Sequence, residues 1–360
     1  MIRAIAIHLP QFHPIPENDS WWGKGFTEWT NVAKARPRFS GHYQPHLPAD
    51  LGFYDLRLEE TRIAQAQMAR QYGIYGFCYY HYWFNGKRLL NRPLDDMLAN
   101  RNPDFPFMYC WANENWTRRW DGNNEKYLIK QEYSAADDLA HIRFLCEKVF
   151  SDPRYIRING KPFFVIYRPR LLPDIQNTLE AWRNEAQKMG IGDLYLGYMQ
   201  GFQVKDAPER MGFDVAIDFQ PDFYNTVPVY RGSTFDILLD KLKIKSSVFS
   251  RNRIIDYREY VDSIKQVPFP AYKLFPSLTP RWDNTPRRKN DAFIFKNDSP
   301  EIYEDWLRHI YKNFRPYSEE ENFVFINAWN EWAEGNHLEP CVKWGTKYLE
   351  ATQKVISNEK

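Results

Sequence analysis

Residues 326–340 read INAWNEWAEGNHLEP and bring several acids and aromatic side chains together where an apolar run ends. Glu331 and Glu334 are three positions apart, so a turn of the chain here would aim both carboxylates at one cavity. Two carboxylates in one site do not readily ionise together, which raises one pKa and leaves an acid beside a base at neutral pH. Glycoside cleavage needs such a pair, one to protonate the departing oxygen and one to act at the other side of the anomeric carbon. We predict that Glu331 and Glu334 are catalytic; the alternative is that they are surface caps of the last helix.

Polar and aromatic residues also follow several other apolar runs. The candidate substrate-binding residues are His81, Trp111, Asn113, Glu114, Trp329 and Asn330. Aromatic planes pack on the C–H faces of sugar rings, while amides and carboxylates hydrogen-bond sugar hydroxyls. Two alternatives stay open: Asn113 and Glu114 could bridge neighbouring strands, and a single histidine such as His81 is more often a packing residue. The segment ENDSWWGKGFTEW, which contains Glu28, is either a wall of the substrate site or a folded-back hydrophobic lid.

Short β-rich apolar runs alternate with amphipathic segments along most of the chain, which predicts a parallel sheet with crossover helices. The eight candidate strands are RAIAIHL, YGFCYYHYW, FPFMYCWAN, PFFVIYRP, LYLGYM, FDVAIDFQP, AYKLFPSL and NFVFINAW. Eight strands in 360 residues predict an α/β fold of the (β/α)8 TIM-barrel type. A doubly wound open sheet is disfavoured because no G-x-G-x-x-G follows the first strand and no P-loop motif is present.

The domain organisation follows from the same pattern. We predict one barrel domain over residues 1–360, with long loop insertions around 10–55 and 221–268. Both insertions follow predicted strands and would lie on the C-terminal face, where the active sites of such barrels are built from loops. No repeat, low-complexity tract or Ser/Gly linker indicates a second domain.

Composition and missing motifs exclude several classes of protein. The 48 basic and 46 acidic residues leave a formal charge of +2 without a long basic run, so nucleic acid is not an expected partner. No apolar stretch reaches the ~18 residues of a membrane span, and the first residues do not resemble a signal peptide. The four cysteines lack metal or redox spacing, and D-x-D and H-E-x-x-H are absent. We expect a cytoplasmic protein with reduced thiols, no metal, no cofactor, and an oligosaccharide or polysaccharide as its partner.

Several long motifs, in the same order along the chain, resemble one family. They are HLPQFHPIPENDSWWGKGFTEW, YQPHLPADLGFYDL, YGFCYYHYWF, WANENWTRRWDG and AWNEWAEGNHLEP. Together they resemble the bacterial proteins called WbsX, which are classed as glycoside hydrolase family 99-like. The resemblance runs from the first strand to the last helix and implies a (β/α)8 barrel.

The resemblance also implies a chemistry. Relatives in family 99 cut α-mannosidic linkages within a chain with retention of configuration, and their W-N-E-W-x-E-G motif matches WNEWAEG here. By that match, Glu331 would draw the proton from the sugar 2-hydroxyl, so that this oxygen attacks C1 and forms a 1,2-anhydro sugar. Glu334 would protonate the leaving oxygen and then activate water as a base. This route differs from the usual covalent glycosyl-enzyme scheme.

Three functions are compatible with these residues. The first is a retaining glycoside hydrolase or transglycosylase that acts on α-mannose-type linkages through the glutamate pair. The second is a glycosyltransferase of O-antigen or capsular polysaccharide biosynthesis, because WbsX proteins are commonly called glycosyltransferases and their genes lie among those for lipopolysaccharide O-antigen and capsule. The third is a carbohydrate-binding protein without chemistry, which the intact carboxylate pair argues against. We favour the first.

Overall fold

The computed structural model describes residues 1–117, 127–242 and 248–358, and its centre is a parallel sheet that closes into a barrel. The barrel strands are β1 Arg3–His8, β2 Ile74–Phe84, β3 Phe107–Trp111, β4 Lys161–Ile166, β5 Tyr195–Gln200, β6 Val215–Asp218, β7 in two segments, Leu274–Phe275 and Ser277–Leu278, and β8 Phe323–Ile326. Neighbouring strands pair in parallel, and β1 pairs with both β2 and β8. The predicted (β/α)8 TIM barrel is confirmed.

Strand β7 closes the barrel in two halves around Pro276. Its first half pairs with β6 and its second half pairs with β8. Proline has no backbone N–H to donate, but the Pro276 carbonyl accepts a hydrogen bond from the N–H of Phe325 at 2.9 Å. The predicted single strand is therefore interrupted, yet the segment still joins both neighbours.

Helices connect the strands and cover the outside of the sheet. They are α1 Pro16–Trp22, α2 Glu28–Lys34, α3 Glu59–Gln71, α4 Arg92–Asn100, α5 Ala135–Lys148, α6 Ile175–Lys188, α7 Pro208–Met211, α8 Thr234–Lys241, α9 Val248–Arg251, α10 Tyr257–Lys265, α11 Pro300–Asn313 and α12 Lys347–Asn358. Side chains cap several of them: Ser134, Asp174 and Ser299 each accept a hydrogen bond from a backbone N–H in the first turn.

Short strand pairs extend the ends of the barrel. Lys87–Leu89 pairs with β2, Arg157–Ile158 with β4, Trp116–Thr117 with Tyr127–Ile129, Arg253–Asp256 with Phe293–Lys296, and Asn330–Glu331 with Asn336–His337. The pair formed by Arg253–Asp256 and Phe293–Lys296 is parallel and lies outside the barrel sheet. It belongs in part to the second predicted insertion, whose residues 243–247 lie outside the described chain.

Aromatic side chains fill much of the interior. Among the largest fully buried residues are Trp111, Trp182, Trp306, Trp329, Trp332, Tyr109, Tyr198, Tyr257 and Phe77. Part of the aromatic surplus therefore serves the core, and part is left for the site described below. The four cysteines are buried and unpaired. No helix in the described ranges combines the length and the apolar character needed to cross a membrane.

Candidate active site

A cavity of about 680 Å³ opens at the carboxyl ends of the barrel strands. Its polar lining includes Gln11, Glu114, Arg168, Asn284, Arg287, Asn327, Glu331 and Glu334. Its aromatic lining includes Trp22, Tyr80, Tyr82, Trp116, Tyr167, Phe202, Phe223, Trp282 and Phe293. Aromatic walls with a few convergent polar groups suit a ring-shaped ligand that carries hydroxyls. Residues from both predicted insertions contribute to the lining.

The two candidate catalytic carboxylates are held by a tight turn after β8. Its two sides, Asn330–Glu331 and Asn336–His337, pair antiparallel and are joined by a 3-10 helix that ends at Glu334. Gly335 closes the turn at a φ of 60°, where a Cβ atom would lie 3.0 Å from backbone atoms of Asp283. Only glycine fits this position without strain. Both glutamates line the cavity, as the three-residue spacing predicts.

Asn330 anchors this turn to the end of β1. Its side-chain oxygen accepts a hydrogen bond from the N–H of Leu9 at 2.7 Å, and its amide donates to the Leu9 carbonyl at 3.0 Å. The alternative role of the glutamates as caps of the last helix does not fit, because that helix begins at Lys347 and Glu331 is only 6% exposed.

Arg287 lies at the centre of three carboxylates. Its guanidinium contacts Glu28 at 2.5 Å, Glu334 at 2.7 Å and Glu331 at 3.1 Å. Glu28 is fully buried and also accepts a hydrogen bond from the N–H of Ala333 at 3.2 Å. One guanidinium cannot neutralise three ionised carboxylates that are largely buried, so this cluster favours retention of a proton.

Burial favours the protonated form of Glu331. Burial raises the pKa of Glu331 to about 8; the charge of Arg287 lowers the pKa, and the neighbouring Glu334 and Glu28 raise it. Burial likewise raises the pKa of Glu28, against the opposing effect of Arg287. The site therefore holds a protonated carboxyl beside other carboxylates near neutral pH, which is the arrangement that acid–base catalysis requires.

The structure separates the predicted binding residues into two groups. Glu114 lines the cavity and pairs with Arg168. The other five, His81, Trp111, Asn113, Trp329 and Asn330, are buried and do not line it. In this structure these five lie behind the cavity lining, and their contact with a substrate stays a prediction.

His81 and Trp111 point away from the cavity because side chains alternate across a strand. The Nε2 of His81 lies 3.0 Å from the Nε2 of His141 on α5. The indole N–H of Trp111 donates to the carbonyl of Trp83 at 3.1 Å, and its ring packs edge-on against His141. On β2 it is Tyr80 and Tyr82, on the opposite face from His81, that reach the cavity. The packing-histidine alternative is thus the correct one for His81.

Asn113 bridges the ends of β3 and β4, which is the structural alternative for this residue. Its side chain accepts from the N–H of Arg168 at 2.8 Å and donates to the Arg168 carbonyl at 2.9 Å. It also donates to the hydroxyl of Tyr133 at 3.1 Å. Trp329 is buried with its ring 5.1 Å from that of Phe77, beneath the turn that carries the glutamates.

We expect the substitution Asn113→Ala to lower the free energy of unfolding by about 1–3 kcal/mol, because it leaves buried backbone groups of Arg168 without partners. Urea denaturation measures this loss. The exposed Asn100, changed to alanine, is the control and is expected to have little effect. Unchanged stability together with weaker glycan binding would instead return Asn113 to the substrate contacts.

The main functional residue that the sequence did not reveal is Arg287. It follows β7 in the segment TPRWDNTPRRKN, and it contacts Glu28 at the start of α2, 259 positions earlier. The tyrosines of YYHYW could have been found by considering both faces of β2, because alternate residues of one strand must face opposite sides. The assignment of ENDSWWGKGFTEW to a wall of the site agrees with Trp22 in the cavity lining.

A buried network supports the catalytic turn from behind. The carboxylate of Glu339 accepts hydrogen bonds from the indole N–H of Trp332 at 2.6 Å, the hydroxyl of Tyr54 at 2.8 Å and the amide of Gln65 at 2.7 Å. Burial raises the pKa of Glu339 to about 7. Trp332 directly follows Glu331, so this network holds the backbone that carries Glu331 and Glu334.

A second polar cluster lies behind the same turn. His46, His337 and Cys341 are buried with potential ligand atoms within 4.8 Å of one another, which is a spacing that could hold a metal ion. The guanidinium of Arg281 lies among them, 3.0 Å from Nδ1 of His46 and 3.8 Å from Sγ of Cys341. Because a buried cation already occupies this position, the donor set does not fit a metal ion.

Comparison with known proteins gives a consistent family and fold. Residues 4–352 match the family model described as "Glycosyltransferase WbsX". Proteins called "Uncharacterized protein WxcX" from two strains of Xanthomonas campestris pv. campestris are each 44% identical over 354 residues. The match covers 98% of this chain but 49% of each relative, so the chain spans about half the length of these proteins.

Solved structures with the same fold include glycoside hydrolases. The GH99 endo-alpha-mannosidase from Bacteroides thetaiotaomicron in complex with bis-tris-propane has a TM-score of 0.59 at 14% identity and covers 99% of this chain and 97% of its own. A structure called "Glycoside hydrolase-like protein" has the same TM-score and identity, with coverage of 99% and 94%. At 14% identity, this likeness establishes the barrel fold alone.

Proposed function

The chain belongs to the family described as glycosyltransferase WbsX, and from its site we propose a glycoside hydrolase or transglycosylase that acts on α-mannose-type linkages. The observation that carries the proposal is the buried pair of Glu331 and Glu334 in an aromatic-lined cavity at the carboxyl ends of a barrel. Family membership and the barrel of an endo-α-mannosidase support the coarser description of a carbohydrate-active protein.

The proposed reaction has two steps. In the first, Glu331 takes the proton of the sugar 2-hydroxyl, and the O2 electron pair forms a bond to C1. The bond from C1 to the leaving oxygen breaks while Glu334 donates its proton to that oxygen. The product of this step is a 1,2-anhydro sugar. In the second step, Glu334 removes a proton from water or an acceptor hydroxyl, whose oxygen attacks C1. The C1–O2 bond breaks, its electron pair goes to O2, and Glu331 returns its proton to O2. Two inversions at C1 give net retention.

The raised pKa of Glu331 determines at which pH this carboxyl can act as the base of the first step. A carboxylate with a pKa of about 8 is a stronger base than an ordinary glutamate, but it carries a proton at neutral pH. If Glu331 acts as the base, kcat/KM must rise as the pH increases through about 8, because only the ionised form reacts. If Glu331 is the acid, kcat/KM must fall over the same range.

A glycosyltransferase is the second candidate, and the family description favours it. The same two carboxylates could transfer a sugar to a hydroxyl acceptor in place of water by the chemistry above. Transfer from a nucleotide sugar with a metal held by D-x-D lacks sequence support, because that motif is absent. Transfer from a lipid-linked donor requires neither a nucleotide sugar nor a metal held by D-x-D.

The decisive experiment is a mass-spectrometric assay with α-linked manno-oligosaccharides and no nucleotide sugar, run beside the Glu334→Gln variant at pH values on both sides of 8. We expect cleavage or transfer by the wild type and none by the variant, since glutamine keeps the size of the side chain but cannot donate the proton. Full turnover by the variant would refute the assigned role. Inactivity of both, followed by turnover with nucleotide-sugar or lipid-linked donors, would establish the second candidate.

A further inference from the structure

Glu28 is the member of the charged cluster that lies behind the cavity lining. Its side chain is fully buried at the start of α2, whereas the other three members, Arg287, Glu331 and Glu334, all line the cavity. Carboxylates are rarely buried to this extent unless they are paired, because the ionised form loses its hydration. A substrate in the cavity would contact the other three groups, so any effect of Glu28 on a reaction passes through them.

The start of α2 is fixed against the turn that follows β8. The N–H of Glu28 donates to the carbonyl of Gln11 at 3.1 Å, and its side chain accepts from the N–H of Ala333 at 3.2 Å. The ring of the next residue, Trp29, packs with its centre 5.3 Å from that of Trp332. The Glu28 carboxylate therefore has a defined position relative to this turn, and it can hold a long, flexible partner in place.

That partner is Arg287. The Nη2 of Arg287 lies 2.5 Å from Glu28 and 3.1 Å from Glu331. Its Nη1 lies 2.7 Å from Glu334. Glu28 and Glu331 thus share one guanidinium nitrogen, and Glu28 makes the shorter contact. An ionised Glu28 offsets positive charge that would otherwise stabilise the ionised form of Glu331.

The other titratable groups that face this cluster stay neutral. In the described part of the chain they are three tyrosines, Tyr80 and Tyr82 on β2 and Tyr167 after β4. Burial raises the pKa of each hydroxyl well above its ordinary range. For Glu331, burial is the largest cause of the raised pKa; the charge of Arg287 lowers that pKa, and the two other carboxylates raise it. The balance among these described charges therefore depends on Glu28.

We propose that Glu28 is a positioning residue that holds Arg287 in place and withholds part of its positive charge from Glu331. Glu331 consequently keeps its proton to a higher pH than it would beside Arg287 alone. This consequence is the same whether Glu331 is the acid or the base. For its effect on turnover the inference rests on the proposed function, whereas its effect on the proton of Glu331 does not.

The test is the variant Glu28→Gln, in which the side chain keeps its size and an acceptor oxygen but loses its charge. In the wild type, the pH profile of kcat/KM should change near pH 8, where Glu331 titrates. In the variant we expect this change, whether a rise or a fall, to move to lower pH by about 1 unit, as the removal of one nearby charge predicts. A residue that only supports the fold would lower kcat/KM at every pH and leave the position of the change where it was.

Carbon-13 NMR of labelled glutamate carboxyl carbons measures the same proton without any substrate. The Glu331 signal is identified by its absence from the spectrum of Glu331→Gln. Its pKa should fall in Glu28→Gln by about the same amount as the pH profile moves. A shifted signal in a protein that turns over no glycan would support this inference and refute the proposed function. Turnover with an unshifted signal would overturn the inference and leave the proposed function standing.

The matched control is Glu17→Gln, which removes a carboxylate from the same connection between β1 and β2. Glu17 pairs with Lys87 at 2.6 Å and lies outside the cavity lining of the described chain. This variant should move neither the pH profile nor the Glu331 signal, and an equal shift in it would overturn the inference. Glu28→Gln should also fold, because it reduces the excess of negative charge around Arg287. Loss of its native circular dichroism spectrum would contradict that charge balance.

Discussion

Replacing Glu331 with glutamine is expected to abolish turnover and, at the same time, to raise the melting temperature at alkaline pH. Turnover is lost because glutamine can neither accept nor donate the proton that the reaction moves. The protein is stabilised because the ionised Glu331 carboxylate is buried beside Glu28 and Glu334, whose combined charge exceeds that of Arg287. The neutral amide removes one negative charge from that group and keeps its shape.

The pH dependence of this stabilisation follows from the pKa of Glu331. The folded-state pKa of about 8 lies above the ordinary value of 4.5, so the folded protein holds this proton more tightly than the unfolded chain. The contribution of the protonated group to stability is fully present below pH 4.5 and is lost as the pH rises to about 8. The variant does not titrate here, so its advantage should grow across that window and then level off, reaching on the order of a few kcal/mol.

Scanning calorimetry of both proteins at several pH values measures this difference, and the mass-spectrometric assay measures turnover. Glu180→Gln is the control, because Glu180 is a solvent-exposed glutamate on α6. We expect it to change neither quantity. A Glu331→Gln protein that is less stable than the wild type at every pH would contradict the excess negative charge inferred for the cluster.

Replacing Arg287 with methionine is expected to have the largest effect on stability. The change leaves Glu28, Glu331 and Glu334 in a buried site without their shared cation. Removal of one partner of a buried ion pair typically costs about 3–5 kcal/mol, because the remaining charge is uncompensated. The loss should shrink in acid, where the carboxylates become protonated. Urea denaturation at neutral and acidic pH measures both effects, and turnover should be lost.

Two further variants make this test specific. Arg288→Met removes the adjacent half-exposed arginine, which also lines the cavity. Its side chain donates to the carbonyl of Asp291 at a long 3.4 Å, so this variant should leave the free energy of unfolding nearly unchanged and serves as the control for stability. The double variant Arg287→Met/Glu28→Gln removes one cation and one carboxylate together and should recover part of the stability. If Arg287→Met behaves like Arg288→Met, the cluster does not depend on this guanidinium.

Local patterns were sufficient for the architecture and for the two glutamates that line the cavity. The eight strands were predictable because each contains a short apolar run and amphipathic segments separate most of them, and both periodicities are properties of adjacent residues. Glu331 and Glu334 were predictable because three residues and a glycine turn place them together without help from distant parts of the chain. A cavity lined by aromatic residues was also expected, although most of the residues that line it were not identified.

The tertiary structure decided which side chains meet. Strand β2 is apolar or aromatic on both faces, so its sequence does not say whether His81 or its tyrosine neighbours face the cavity; only the packing of α5 against one face does. Asn113 became a bridge because the end of β4 lies beside it. Arg287 meets Glu28 across 259 positions, a contact that exists only after the barrel closes. The sequence by itself thus determined the barrel and its glutamate pair, whereas the charge that surrounds the pair arises from long-range contacts that no local pattern encodes.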